Sequence, residues 1–176
     1  MQITKNILIK KEKMKTNFEK AKILIDTLVA ANLYSCPHYE IFKDTFSQVI
    51  NDELKNFEIS LQIGDNKTCY YLSKIYELGI GGQQDKYIAD LFIVIGKELE
   101  DEKCSKIFAS NPAKYVWYEP AASKFITGYI GKSSNIPFED AIISAHQPPG
   151  YNELFDSNSN EFIQPLGAIA SYETNF

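Results

Sequence analysis

The side chains best suited to catalysis in this sequence are one cysteine and two histidines. Cys36 lies two residues before His38, and His146 is the only other histidine. A thiol nucleophile needs an adjacent base to remove its proton, but positions two apart on a helix face different ways. The flanking residues match no cysteine-hydrolase signature. A small enzyme using Cys36 with His38 or His146 is therefore our second hypothesis, and buried or incidental residues are the simpler interpretation.

The spacing of residues does not indicate a metal site or a nucleotide-binding site. The three cysteines, Cys36, Cys69 and Cys104, form no C-x-x-C pair, and the two histidines and scattered acids have no metal-ligand spacing. The glycines of segment 79–82 are not followed by the Lys-Ser/Thr of a phosphate loop. We therefore expect no metal and no cofactor, and we interpret these glycines as a turn between helices.

Charge and composition limit the classes of partner. The 176 residues carry a net charge of −5 and include no arginine, although segment 1–20 holds six lysines and two glutamates. Arginine is the residue that best grips phosphates and guanine edges. Its absence and the acidic balance argue against nucleic acid and suit a basic protein partner.

The sequence also lacks the features of secretion and membrane insertion. We recognise no signal peptide at the start, and no apolar run approaches the length of a membrane span. Scattered cysteines are typical of reduced thiols. We expect a soluble, cytoplasmic protein with no membrane partner; whether Met1 or Met14 is the natural start stays open.

Apolar residues recur at three- and four-residue intervals through most of the chain, which predicts a mainly α fold. We divide the chain into a basic N-terminal arm (1–13), a helical domain (14–147) and an acidic, irregular C-terminal tail (148–176). The arm is expected to be either frayed or a short strand. The predicted helices cover 15–34, 37–63 with a break near 51–52, 67–78, 86–99, 100–109, 120–131 and 137–146. Phe42, Phe46, Val49, Ile50, Leu54 and Phe57 form the apolar stripe of the second.

The most informative spacing runs from Gly64 to Phe92. Three side chains four residues apart share one helix face, a glycine follows as a left-handed C-cap, and an aspartate then begins a second helix. A small residue and an aromatic residue four and seven positions later suit close helix packing. The full set is Gly64, Thr68, Leu72, Tyr76, Gly79, Gly81, Asp85, Ala89 and Phe92.

This segment, GDNKTCYYLSKIYELGIGGQQDKYIADLF, resembles a Sel1-like repeat, a relative of the tetratricopeptide helix pair. It departs from that pattern at Thr68, Ser73 and Leu91. The resemblance implies antiparallel helix pairs stacked as a short array. It also implies a protein–protein interaction module or adaptor, of the kind found in bacterial signalling, secretion or host interaction, or a toxin inhibitor or immunity protein.

Flanking positions repeat the pattern weakly. Cys104 follows Thr68 by 36 residues, and Phe108 follows Leu72 by 36, a period typical of stacked helix pairs. The chain could restart the pattern with Phe125 and Tyr129 in the roles of the leucine and the tyrosine.

The candidate interaction surface is Tyr70, Tyr71 and Lys74, which lie off the predicted inner stripe of their helix. Adjacent tyrosines, if exposed, are good binding anchors. Packing against a neighbouring helix is the alternative interpretation of the same residues.

One competing fold remains at this stage. Segment 91–95 is an apolar, β-branched run and segment 114–118 is aromatic and β-prone, so each could be a strand flanking a helix. That arrangement would indicate an α/β nucleotide-processing domain. A short apolar run does not distinguish a buried strand from a buried helix, but the glycine spacing upstream favours the helix.

Overall fold

The computed structural model describes residues 2–132 and 136–146, and within these ranges every regular element is helical. Two short 3-10 segments, Leu33–Ser35 and Val116–Tyr118, connect longer helices. The α-helices are α1 (Gln2–Ala30), α2 (Tyr39–Gln62), α3 (Thr68–Leu78), α4 (Lys86–Glu98), α5 (Glu102–Ser110), α6 (Pro112–Tyr115), α7 (Glu119–Tyr129) and α8 (Phe138–His146). The mainly α prediction is confirmed.

The alternative with strands near 91–95 and 114–118 is wrong. Residues 91–95 belong to α4, and all five are buried because α3, α5 and α7 pack around that helix. Segment 91–95 has no polar face because α4 is surrounded by other helices on every side of this segment. Residues 114–118 lie in α6 and the 3-10 segment after it, where Pro112 in the first turn starts the helical backbone.

Helices α3 and α4 form an antiparallel pair. At one end the backbone N–H of Asp85 donates to the carbonyl of Tyr76 at 2.9 Å, which joins the end of α3 to the start of α4. At the other end the Asn66 side chain donates to the Leu99 carbonyl at 2.8 Å, which joins the start of α3 to the end of α4. Bonds at both ends fix two helices that run in opposite directions.

The turn between α3 and α4 has the conformation that its glycines predict. Gly79 has a φ of 65° and Gly81 a φ of 88°, both in the left-handed region that favours glycine. A Cβ at Gly81 would lie 3.0 Å from Cγ2 of Ile50, so α2 packs directly against the turn. The Asp85 side chain accepts a hydrogen bond from the Ile88 N–H at 3.0 Å and caps α4, as predicted.

Phe92 stands at the centre of an aromatic core. Its ring centroid lies 6.0 Å from that of Tyr76 in α3, 5.8 Å from Phe125 in α7 and 5.7 Å from Phe138 in α8. Phe125 and Tyr129 are also buried. The α3–α4 pair therefore packs against α7 and α8 through aromatic rings.

Two further neighbouring pairs accompany the central one. α1 packs against α2, where the rings of Phe18 and Phe57 lie 4.7 Å apart, and α7 packs against α8. A short connector, α5 with α6, runs between the central pair and the last one. This order of helices is consistent with a helical array.

Two details of the predicted elements need correction. The segment 1–13 is neither frayed nor a strand from Gln2 onward, because α1 runs through it into the predicted helix at 15–34 without a break. Its lysines and glutamate are good helix formers. The break near 51–52 is absent, since α2 is continuous.

In the stripe of α2, Ile50 and Phe57 are fully buried, whereas Phe42 is 54% exposed. Val49, another member of the predicted stripe, is 41% exposed, so the buried face of α2 is narrower than the stripe. The predicted tail, 148–176, lies outside the described residues. No helix in the described ranges is long and apolar enough to cross a membrane.

Candidate functional site

A cleft of about 420 Å³ lies where α1, α3 and α5 meet. Tyr70 and Tyr71 from α3 line it, together with charged residues from both neighbouring helices. The side chains that line the cleft are Glu19, Lys22, Ile23, Asp26, Asp65, Lys67, Thr68, Tyr70, Tyr71, Asp101, Glu102 and Lys103. The structure thus places two of the three predicted interaction residues in one concave site.

Asp26 and Lys103, which are distant from the two tyrosines in the sequence, contact them in the cleft. The Tyr71 hydroxyl donates a hydrogen bond to Oδ2 of Asp26 at 2.9 Å. The Lys103 ammonium lies 4.6 Å from the Tyr70 ring centroid, 5.8 Å from that of Tyr71 and 3.6 Å from Oδ1 of Asp26. A cation over an aromatic face and beside a carboxylate is held by both.

Local sequence explains how each helix presents its side chain. On α1, Ala21, Ile25 and Leu28 form the buried face, so Asp26 projects from its flank toward α3. α5 begins beside the cleft because the buried Asp101 carboxylate accepts a hydrogen bond from the Cys104 N–H at 2.9 Å and caps the helix. Lys103 therefore lies in the first turn of α5, facing the tyrosines.

Both tyrosines remain protonated hydrogen-bond donors at neutral pH. Burial is the largest cause that raises the pKa of Tyr71, and the hydrogen bond to Asp26 is the next. Burial also raises the pKa of Tyr70, which the nearby Lys74 and Lys103 ammonium groups partly offset. The Tyr71 hydroxyl is thus a fixed donor to Asp26.

Tyr70 and Tyr71 are less exposed than residues that simply project from a surface. Tyr70 is 8% exposed, and its ring lies 5.6 Å from that of Tyr71 in an edge arrangement. The rings pack against neighbouring side chains, as the alternative interpretation predicts, and they also line a cleft. Lys74 lies beside Tyr70, with its ammonium 5.7 Å from the ring, but it pairs with Glu77 at 2.7 Å and lines a separate cleft.

Cys36 and His38, which the alternative enzyme hypothesis uses, do not line this cleft. Cys36 and His38 are both exposed in the segment between α1 and α2. The His146 side chain falls outside the described part of the structure. Cys69 and Cys104 are buried, which raises the pKa of both thiols and disfavours their thiolates.

Metal coordination also lacks a site in the described ranges, where no group of three or more His, Cys, Asp or Glu side chains could hold an ion. The cleft's chemistry is instead that of hydrogen bonding, ion pairing and aromatic contact. These are the interactions by which protein surfaces recognise one another.

Sequence reasoning did not identify Asp26 and Lys103 as members of the site. They lie 45 and 32 residues from Tyr71, and only the packing of α1 and α5 on α3 brings them together. A local signal existed for Asp26 alone. Glu19, Lys22 and Asp26 recur at three- and four-residue spacing, which marks a polar face of α1.

Comparison with protein-family models, with curated proteins and with solved structures found no match to this chain.

Proposed function

We propose that the protein is a helical interaction module and that the cleft between α1, α3 and α5 contacts a protein partner. The observation that carries the proposal is the pair of tyrosine rings, Tyr70 and Tyr71, in a concave site built by three helices. Tyrosine is enriched at the energetic centres of interfaces because it combines a rigid apolar ring with a polar tip.

The resemblance to a Sel1-like repeat supports the same proposal, because that family consists of adaptors and scaffolds. Within it we propose a cytoplasmic bacterial adaptor, inhibitor or immunity protein. The scattered thiols suit a reducing compartment, and the net charge of −5 suits a basic partner.

Alanine at Tyr70 or Tyr71 is a poor test, because both rings also support packing between helices. Ile23 is a better position: it lines the cleft, yet it is 63% exposed. We expect Ile23→Glu to reduce capture of the partner at least tenfold when the tagged full chain is purified from its native cells and quantified by mass spectrometry. An added charge in a contact surface is costly to desolvate.

Ile41→Glu is the matched control. Ile41 is 70% exposed on α2, away from the cleft, so the same substitution there adds the same charge to a different helix. We expect this variant to capture the partner as well as the parent chain and both variants to keep the parent's circular dichroism spectrum. Equal capture by the parent, Ile23→Glu and Ile41→Glu would contradict the proposal.

A further inference from the structure

Lys103 holds a position in the cleft that an incoming cation would also favour. Its ammonium is close to the Tyr70 and Tyr71 rings and to the Asp26 carboxylate, at the distances given above. Aromatic faces and a carboxylate together attract an organic cation through the ring quadrupole and the negative charge. The site therefore already binds one ammonium group, supplied by its own chain.

The Asp26 carboxylate is oriented to bind a cation in the cleft. The Tyr71 hydroxyl donates to Oδ2, and this bond leaves Oδ1 directed toward the ammonium of Lys103. A carboxylate already held in place by a hydrogen-bond donor loses little freedom when a cation arrives. This arrangement is formed before any partner binds.

Lys103 is held only at the surface. Its side chain is 56% exposed and that of Asp26 is 43% exposed, so water competes for both groups. Ion pairs of this exposure are weak. A cation brought in by a partner can replace Lys103, which then turns into solvent from the first turn of α5.

The balance of charge around the cleft favours a cation over an anion. Five carboxylates and three lysines line it. Of those lysines, Lys22 pairs with Glu19 at 2.6 Å and Lys103 with Asp26. The volume of about 420 Å³ is within the range of pockets that enclose small ligands.

We infer that Tyr70, Tyr71 and Asp26 form a receptor for a lysine side chain of the protein partner, and that Lys103 occupies this receptor in the unbound state. The inference rests on the proposed function for the identity of the ligand as part of a protein. The receptor itself rests on the geometry alone.

The test uses the full chain labelled with ¹⁵N and titrated with Nα-acetyl-lysine-methylamide, followed by nuclear magnetic resonance. The uncharged norleucine analogue, which has the same aliphatic length, is titrated in parallel. Lys103→Ser removes the internal competitor, so we expect it to bind the lysine probe about fivefold more tightly than the parent, because apparent affinity rises with the fraction of open sites.

Two further variants make the result specific. Lys43→Ser removes one positive charge from α2, where Lys43 pairs with Glu40 at 3.9 Å far from the cleft, and we expect it to bind like the parent. Asp26→Asn keeps an acceptor for the Tyr71 hydroxyl but removes the charge. We expect it to lose saturable binding of the lysine probe.

Equal shifts with the lysine and norleucine probes, or equal binding by Lys103→Ser and Lys43→Ser, would overturn the inference and leave Lys103 as a tie between α5 and α1. Failure of the proposed function has a different signature. In that case the lysine probe binds as expected, whereas Ile23→Glu leaves partner capture unchanged.

Discussion

At the scale of single residues, Gly96 shows how closely three helices approach one another. It lies in α4, and a Cβ placed there would be 2.7 Å from Cβ of Cys104 in α5 and 2.9 Å from Cβ of Cys69 in α3. Such distances are shorter than side-chain atoms adopt. The absence of a side chain at this one position therefore sets the spacing on which the cleft between α1, α3 and α5 depends.

We expect Gly96→Ala to reduce the free energy of unfolding by about 2 kcal/mol. Overpacking a core costs up to ~3 kcal/mol, whereas alanine in a helix regains about 1 kcal/mol over glycine. The two facing Cβ atoms belong to separate helices, so relief requires a movement of α3 or α5 rather than of one flexible side chain. Urea unfolding monitored by circular dichroism measures the change.

Gly82→Ala is the control for that measurement. No atom lies within 4 Å of a Cβ at Gly82, and its φ is not in the left-handed region. Alanine should therefore change the stability by less than about 1 kcal/mol, in the stabilising direction if it restricts the unfolded chain. A loss at Gly96 no greater than that at Gly82 would contradict the close packing of α4.

The members of the cleft differ in how far the sequence could predict them. Tyr70 and Tyr71 were identified because they are adjacent and fall off the stripe of their own helix, which is a local property. Predicting that Asp26 and Lys103 belong to the cleft requires knowing which helices pack on α3. Spacing along one helix does not contain that information. Lys74 was assigned to the same surface, but it lines a separate cleft and pairs with Glu77 three residues along α3.

At the scale of elements, the end of α3 and the start of α4 were predicted to within a residue because their signals are local. Glycines in the left-handed region end α3, and the Asp85 side chain caps α4. Segment 114–118 was ambiguous for the opposite reason. Its aromatic residues suit a strand as well as a helix. Pro112, which suits the first turn of α6, favours the helical outcome.

We expect Asp85→Ala to lower the free energy of unfolding by about 1 kcal/mol, because the N–H of Ile88 loses its acceptor. Asp85→Ser should retain most of the parent's stability, since a serine hydroxyl can accept the same bond. Thermal unfolding of the three proteins under identical conditions measures the difference. Similar melting temperatures for the alanine and parent chains would show that the cap contributes nothing.

The two halves of α2 should respond differently to the loss of an aromatic ring. Phe57 is fully buried against Phe18, so Phe57→Ala should cost about 3–5 kcal/mol through lost burial and the cavity left behind. Phe42 is 54% exposed, so Phe42→Ala should cost less than about 1 kcal/mol. Chemical unfolding of both variants measures the contrast, which would vanish if Phe42 were as buried as Phe57.

At the scale of the whole molecule, tyrosines that are partly or fully buried make the stability of the fold depend on alkaline pH. Burial, with neighbouring acids as the next cause, raises the pKa to about 12 for Tyr76, Tyr118 and Tyr129. Tyrosine in an unfolded chain ionises near pH 10. The folded protein therefore binds protons more tightly than the unfolded chain, and the stability from these groups is complete below pH 10.

We expect the urea midpoint of unfolding to fall steadily from about pH 10 to about pH 12, because in that window the unfolded chain releases protons that the folded chain keeps. The buried thiols of Cys69 and Cys104, whose pKa values are also raised, add a loss of the same sign that starts near pH 9. Absorbance of tyrosinate at alkaline pH reports the ionisation directly. In the folded protein, part of that absorbance should appear only near pH 12.

The variant Tyr76→Phe separates this linkage from general alkaline damage. Phenylalanine keeps the ring that stacks on Phe92 at 6.0 Å but removes the ionisable hydroxyl beside Glu58, Glu139 and Asp85. Its midpoint should therefore fall less steeply above pH 10 than that of the parent, because one fewer group prefers to stay protonated in the folded state. Parallel curves for the two proteins would mean that Tyr76 ionises alike in the folded and unfolded chains, and that the aromatic core is more open to water than its packing indicates.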